Sequence, residues 1–172
     1  MEIDTTRFGR IRIEESELIG MRGCIFGFEQ LKRFVLLTVE DNTPLWWLQS
    51  VDDPAIAFVV INPRIVKPDY APAISEGDLG LMEIQNAEEI ALLSIVTVRS
   101  DPFRATANLL APILINASKR LARQVILDDP DYPIQHDILG NKVDFKSGLS
   151  AEERTGENGP GRLHPSSCCG MI

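Results

Sequence analysis

Hydrophobic and polar positions alternate along the first fifteen residues, where Ile3, Thr5, Ile11 and Ile13 stand against Arg10, Arg12 and Glu14. A period of two marks a half-buried strand, so "EIDT" and "GRIRIE" read as two short strands. The alternation then gives way to runs that are nearly all apolar. "RFVLLTV" (33–39) and "AIAFVVIN" (55–62) are rich in β-branched residues and read as strands buried on both faces. Between them "EDNTP" (40–44) supplies a turn and "PLWWLQS" (44–50) a further strand. "NPRIVKPDYAP" (62–72) carries three prolines and reads as an irregular connection. "ISEGDLGLM" (74–82) has room for one short helical turn capped by Ser75. "EEIALLSIVTV" (88–98) is the longest strand candidate. Short strands at roughly ten-residue spacing, with few helical patterns, predict an all-β sandwich or small barrel.

Residues 101–127 admit two readings. As a helix, Asp101 caps, Pro102 takes the first turn, and Phe103, Thr106, Ala107 and Leu110 share a face until Pro112 stops it. As strands, "PILIN" and "RQVIL" flank "ASKRLA", with Asn116 starting the turn. Residues 103–111 fit either. For 112–127 a proline followed by two isoleucines favours strands.

The last part of the chain differs in kind. From Lys146, "KSGLSAEERTGENGPGRLHPSSCCGMI" is rich in Gly, Ser and charge and holds few large apolar residues. It cannot bury enough surface to offset its ordering entropy, so residues 146–172 are expected to be a disordered tail on a single domain spanning 1–145. The 172-residue length suits one domain with a sizeable core. No apolar run reaches the ~18–20 residues of a membrane helix, and "MEIDTTRFGRIRIEE" lacks a signal-peptide pattern. A cytoplasmic protein is therefore expected. The cysteines are Cys24 and the adjacent Cys168 and Cys169, an odd set that implies no disulfide framework.

Charge narrows the partners. Residues 1–145 hold 14 Lys and Arg against 22 Asp and Glu, while 146–172 hold three of each, so the whole excess of −8 sits on the body. Such a body repels phosphate backbones and attracts basic partners. The local cluster "SKRLAR" (118–123) is the exception, and it leaves open an RNA-binding module through Lys119, Arg120 and Arg123.

Catalytic chemistry finds little material. His136 and His164 are the two histidines. "HPSSCC" (164–169) offers three candidate ligands, His164, Cys168 and Cys169, within six residues, but structural zinc normally needs two separated pairs, and no metal or cofactor is expected. "TGENGPG" (155–161) neither follows a strand nor opens a helix, as a phosphate loop would. Asp52 and Asp53, like Asp128, Asp129 and Asp131, border prolines in turns. The alternative enzyme reading places a site near Asp52, Asp53 and His136. Binding has better candidates. Trp46 and Trp47 are adjacent, so on a strand their rings point to opposite faces and Trp46 is a candidate contact residue. Asn108 and Asn116 suit turns or main-chain recognition of a partner segment. Glu76, Asp78, Glu83, Glu88 and Glu89 concentrate acid between 75 and 90, either as a solvated face or as a surface for a basic partner.

"TANLLAPILINASKRLARQVIL" (106–127) closely resembles the T-A-N-L-x-A-P-I-x-I-N…x-Q-V-I-L segment of the flagellar assembly factor FliW family. "GFEQLKRFVLL" (27–37), "PLWWLQSVDDPAIAFVVINP" (44–63), "DYAPAIS" (69–75), "SIVTV" (94–98) and "YPIQHDIL" (132–139) follow the family pattern in order. The resemblance covers roughly residues 2–140. It departs at Cys24–Glu29, where a Gly-Ile-Pro-Gly-Phe-Glu turn is expected and a Gly and a Pro are missing. What it implies is a small antiparallel β-barrel-like domain, monomeric when unbound, that catalyses nothing. In such a protein 106–127 is a strand hairpin. The implied partners are CsrA, a dimeric RNA-binding repressor of flagellin translation, and flagellin itself, with the acidic residues as the implied complement to CsrA.

Overall fold

The computed structural model describes residues 1–38 and 43–140, and the backbone of 161–162. The strands are β1 (Glu2–Thr5), β2 (Gly9–Arg12), β3 (Ile19–Met21), β4 (Arg33–Thr38), β5 (Leu45–Ser50), β6 (Ala57–Ile61), β7 (Ile90–Ser100), β8 (Phe103–Ala107), β9 (Ile113–Asn116), β10 (Leu121–Gln124), β11 (His136–Asp137) and β12 (Gly161–Arg162). Two short helices, α1 (Pro63–Val66) and α2 (Glu76–Leu81), lie between β6 and β7. Neighbouring strands run in the order β7-β6-β5-β4-β3-β10-β9, and β9 pairs back onto β7 to close a ring. All of these contacts are antiparallel except β3 with β10. The second half of β7 continues past the ring as a hairpin with β8, and β11 adds to the outer edge of β8.

The apolar runs divide between two faces with the strand period of two. Phe34 and Leu36 of β4, Trp46 and Leu48 of β5, and Ile113 and Ile115 of β9 pack together inside the ring. Their neighbours Val35, Leu37 and Trp47 face outward beneath the β1–β2 hairpin, which buries Ile11 and Ile13 against them. Leu114 also faces outward, into a cluster with Val66, Tyr70, Met82, Leu127, Tyr132 and Ile138. Side chains covered on both faces explain why these strands carry no polar alternation. The barrel interior is thereby filled with core rather than left as a ligand chamber.

Strands expected at 33–39, 44–50, 55–62 and 88–98 are present with boundaries shifted by one or two residues at most ends. The ambiguous stretch resolves as strand: Phe103–Ala107 forms β8, and the helix reading fails because each residue of β8 pairs with β7. α2 starts after Ser75, whose Oγ accepts from the Asp78 N–H at 3.0 Å. The proline-rich connection 62–72 holds α1, which the sequence reading missed. Asn62 Oδ1 accepts from the Arg64 N–H at 3.0 Å, and Pro63 stands at the first helical position, where its fixed φ is an asset. In the divergent turn, Gly27 takes φ of 84° and the Phe26 N–H donates to Gln124 Oε1 at 2.9 Å. The turn thus closes without the missing Gly and Pro.

The expected tail 146–172, with His164, Cys168 and Cys169, lies outside the described residues except at Gly161–Arg162. The backbone of those two positions pairs antiparallel with Thr38 and Leu37 of β4. Pairing of this kind uses main-chain groups and needs no apolar side chains.

Candidate protein-interaction surface

The acidic segment between 75 and 90 is built on α2 and the turn that follows it. Asp78 sits in the first turn of α2, and its carboxylate accepts from the Ser75 hydroxyl at 2.7 Å and from Arg123 Nε at 2.8 Å. The Ser75 hydroxyl, aided by the Arg123 guanidinium and opposed by burial, holds this carboxyl below its ordinary range. Glu83 follows the helix with φ of 53°, and its carboxylate accepts from Lys119 Nζ at 2.9 Å and Arg22 Nη2 at 3.1 Å. Lys119, with a smaller contribution from Arg22, keeps Glu83 below the usual carboxylate value. Arg123 also donates through Nη1 to the Arg22 carbonyl at 2.8 Å. These bonds bind the segment to β10 and to the end of β3.

Asn116, fully buried at the end of β9, supplies the central clamp. Its Nδ2 donates to the carbonyls of Met82 (3.0 Å) and Glu83 (3.3 Å). Its Oδ1 accepts from the Ser118 hydroxyl (2.8 Å) and the Lys119 N–H (3.1 Å). One side chain therefore ties the exit of α2 to the β9–β10 turn.

What remains free on this surface is narrower than the sequence suggested. Glu76 and Glu88 are exposed and take part in no ion pair among the described residues. Glu89 is turned inward on its own loop, accepting from the Gln85 N–H at 3.1 Å. Glu88 borders an open groove of about 410 Å³ whose walls include Arg64, Ala71, Pro72, Ile74 and Ile90. Arg64 is held at the groove by its Nε, which donates to the Tyr70 carbonyl at 3.1 Å.

Three sequence candidates are engaged by their surroundings. Trp46 is 3 % exposed inside the barrel and Trp47 is 7 % exposed beneath the β1–β2 hairpin, so neither ring is an exposed anchor. Adjacent strand residues do point to opposite faces here, but the sequence did not reveal that a hairpin covers the outer one. Phe8 meets Trp47 edge-on at 5.7 Å, and Arg7 lies 4.2 Å from the ring centroid. Asn116 is consumed by its clamp. Asn108 serves its own loop, where Oδ1 accepts from the Ala111 N–H at 2.9 Å.

The alternative sites come apart as well. Asp52 is 2.7 Å from Arg33 Nε and also accepts the N–H groups of Lys32 and Arg33. Burial raises its pKa, but those three donors outweigh it, and the carboxyl stays below its ordinary value. His136 lies on β11 beside Ala107, its Nε2 3.4 Å from the Val66 carbonyl, and three strands separate β11 from β5 in the sheet order. Asp52, Asp53 and His136 form no shared site. Of the basic trio, Lys119 and Arg123 are spent on Glu83 and Asp78, while Arg120 has φ of 54° and one buried guanidinium nitrogen without a partner. Among the described residues no group of three His, Cys, Asp or Glu side chains is placed to hold a metal ion.

Comparison with known proteins settles the family. The FliW protein family model matches residues 2–138, which spans every ring strand and the outer hairpins. The chain belongs to the FliW family. The flagellar assembly factor FliW of Syntrophus aciditrophicus (strain SB) is 50 % identical over 142 residues, covering 83 % of this chain and 90 % of its own. That of Geobacter sulfurreducens is 40 % identical over 147 residues, covering 86 % and 92 %. A crystal structure of the flagellar assembly factor FliW matches with a TM-score of 0.73 at 39 % identity, covering 80 % of this chain and 96 % of that one.

These relatives are named as assembly factors, not as enzymes. Membership places this FliW-family chain in flagellum biogenesis, in a role carried by protein–protein contact. Among the described residues no helix is long and apolar enough to cross a membrane.

Proposed function

We propose that this FliW-family chain acts in the cytoplasm as a partner switch. In its free form it sequesters CsrA and so relieves repression of flagellin translation. Accumulating flagellin then occupies it, in a chaperone-like complex, and CsrA is released to repress again. The observation that carries the reading is the extent of the family match, which runs through residues 2–138 and leaves no ring strand outside it.

Charge supports the direction of the effect. A body of net charge −8 is attracted to a basic RNA-binding dimer, and once docked it repels RNA without having to cover the RNA groove. Glu76 and Glu88 are the carboxylates of the acidic segment left free for that contact. Asp78 and Glu83 hold the segment in place.

The test is a titration of the protein into the CsrA-type regulator of the same genome, followed by addition of flagellin. Complex formation that flagellin reverses supports the switch. Absence of heat and of a complex on a sizing column would refute the antagonist role. With a complex in hand, Glu76→Gln with Glu88→Gln is expected to weaken RNA displacement more than CsrA binding at moderate salt. Equal losses would count against electrostatic exclusion of RNA.

A further inference from the structure

Two of the hairpins, β1–β2 and β7–β8, treat charge in opposite ways. In β1–β2 the residues facing each other are Glu2 with Arg12 and Asp4 with Arg10, and both pairs close as salt bridges at 3.1 and 3.0 Å. In β7–β8 the register sets Arg99 directly opposite Arg104. Like charges facing each other across an antiparallel pair destabilise it. Neither guanidinium has an ion-pair partner among the described residues. Asp137, opposite Thr106 on the same face, has one oxygen engaged by the Leu139 N–H at 2.9 Å.

The arm that carries them stands clear of the barrel. Every residue from Thr97 to Arg104 is exposed. One face bears Thr97, Arg99, Arg104 and Thr106, and the other bears Val98 and Phe103, 38 % and 43 % exposed. The edge of β7 away from β8 pairs with β6 at Ser94 and Ile95, and among the described residues no strand pairs with it beyond Ile95. The arm thus combines an open main-chain edge, two uncompensated cations on one face and an apolar patch on the other.

We propose that this arm binds an extended acidic peptide, added as a strand to the open edge of β7 at Thr97–Ser100. Main-chain hydrogen bonds fix the peptide, and its side chains alternate between the two faces. Carboxylates at every second position meet Arg99 and Arg104, whose planar guanidinium groups suit bidentate pairing. The intervening apolar residues pack on Val98 and Phe103. A sheet edge recognises peptide rather than nucleic acid, and the net charge of −8 opposes a phosphate backbone. The inference is independent of the CsrA and flagellin reading.

Three labelled probes test it by fluorescence anisotropy with the full chain: a short peptide alternating Glu and Val, its Gln–Val counterpart, and a uridine oligonucleotide. The Glu–Val peptide is expected to bind saturably, about tenfold or more tighter than the Gln–Val peptide, with affinity falling as salt rises. Arg104→Glu is expected to abolish that binding while melting no lower than the native chain, because it removes the repulsion with Arg99. Arg99→Lys with Arg104→Lys should restore part of the affinity. No saturable binding, equal binding of the two peptides, unchanged binding by Arg104→Glu, or tighter binding of the oligonucleotide would each overturn the proposal. Any of the first three would leave the arginines as charges that protect an exposed edge from aggregation.

Discussion

Replacing Asn116 by alanine should loosen the acidic segment from the barrel, and the structure sets the scale of the loss. The substitution deletes four hydrogen bonds, two donated to the Met82 and Glu83 carbonyls and two accepted from Ser118 and Lys119. A typical bond of this kind contributes ~0.5–1.5 kcal/mol net, and the 3.3 Å bond to Glu83 belongs at the weak end. The site is fully buried, so water cannot replace the lost partners at once. Together these terms give about 2–4 kcal/mol, a large share of the ~5–15 kcal/mol that holds an ordinary domain. Urea unfolding read by tryptophan fluorescence is a suitable assay, since Trp46 and Trp47 are both buried. With a slope of ~1–3 kcal/mol per molar, the midpoint should fall by roughly 1–2 M.

Asn116→Asp separates the two halves of the clamp. It keeps the acceptor for Ser118 and Lys119 but turns a carboxylate oxygen toward two carbonyls. Burial and that repulsion raise the folded pKa above the unfolded one, so stability is retained below the unfolded carboxylate pKa and lost as pH rises through the folded value. The aspartate variant should therefore be less stable than the alanine variant at neutral pH and recover relative to it in mild acid. An alanine variant within ~1 kcal/mol of the native chain, or an aspartate variant of native stability at neutral pH, would refute the clamp.

Two further perturbations probe the barrel interior and the acidic segment. Trp46→Ala should cost about 3–5 kcal/mol in urea unfolding, because the ring fills the barrel interior and its loss leaves a cavity there. A cost near zero would mean the interior is not packed as described. The carboxyls of Asp78 and Glu83 are held below their ordinary range, so their contribution is present above the unfolded carboxylate pKa and is lost as pH falls through the folded values. Thermal melts across acid pH should show this decline, and Asp78→Asn should flatten it. An unchanged pH profile in that variant would count against the Ser75 and Arg123 contacts as the source of the shift.

The parts legible in the sequence were those written in local pattern. Ser75 before an acidic first turn announced α2, and the β-branched runs announced β4, β6 and β7. The parts that stayed hidden depend on residues far away in the chain. β3 is three residues long and is held between β4 on one side and β10, in parallel, on the other, and nothing near Ile19 reveals the β10 partner. α1 was hidden by its own prolines, since Pro63 reads as a breaker until Asn62 is seen to cap it. Trp46 and Trp47 were correctly placed on opposite faces, but the cover over Trp47 comes from a hairpin more than thirty residues earlier in the chain. The acidic residues looked equivalent in sequence, and only the placement of Arg22, Lys119 and Arg123 distinguishes the paired Asp78 and Glu83 from the free Glu76 and Glu88.

That distinction bears on how such a surface can bind. Glu76 and Glu88 flank a segment already fixed by Asn116, Asp78 and Glu83, so presenting them to a partner orders little additional chain. The same internal pairs place Arg22, Lys119 and Arg123 against the acidic cluster and cancel much of its local field. Attraction at a distance must then come from the net charge of the whole body, which salt screens beyond ~8 Å at physiological ionic strength. Raising the salt concentration should accordingly slow association with a basic partner, whereas removing Glu76 and Glu88 should act mainly on the dissociation rate. The reverse assignment, with the two substitutions slowing association and leaving dissociation unchanged, would mean that these carboxylates steer the encounter and do not sit in the contact.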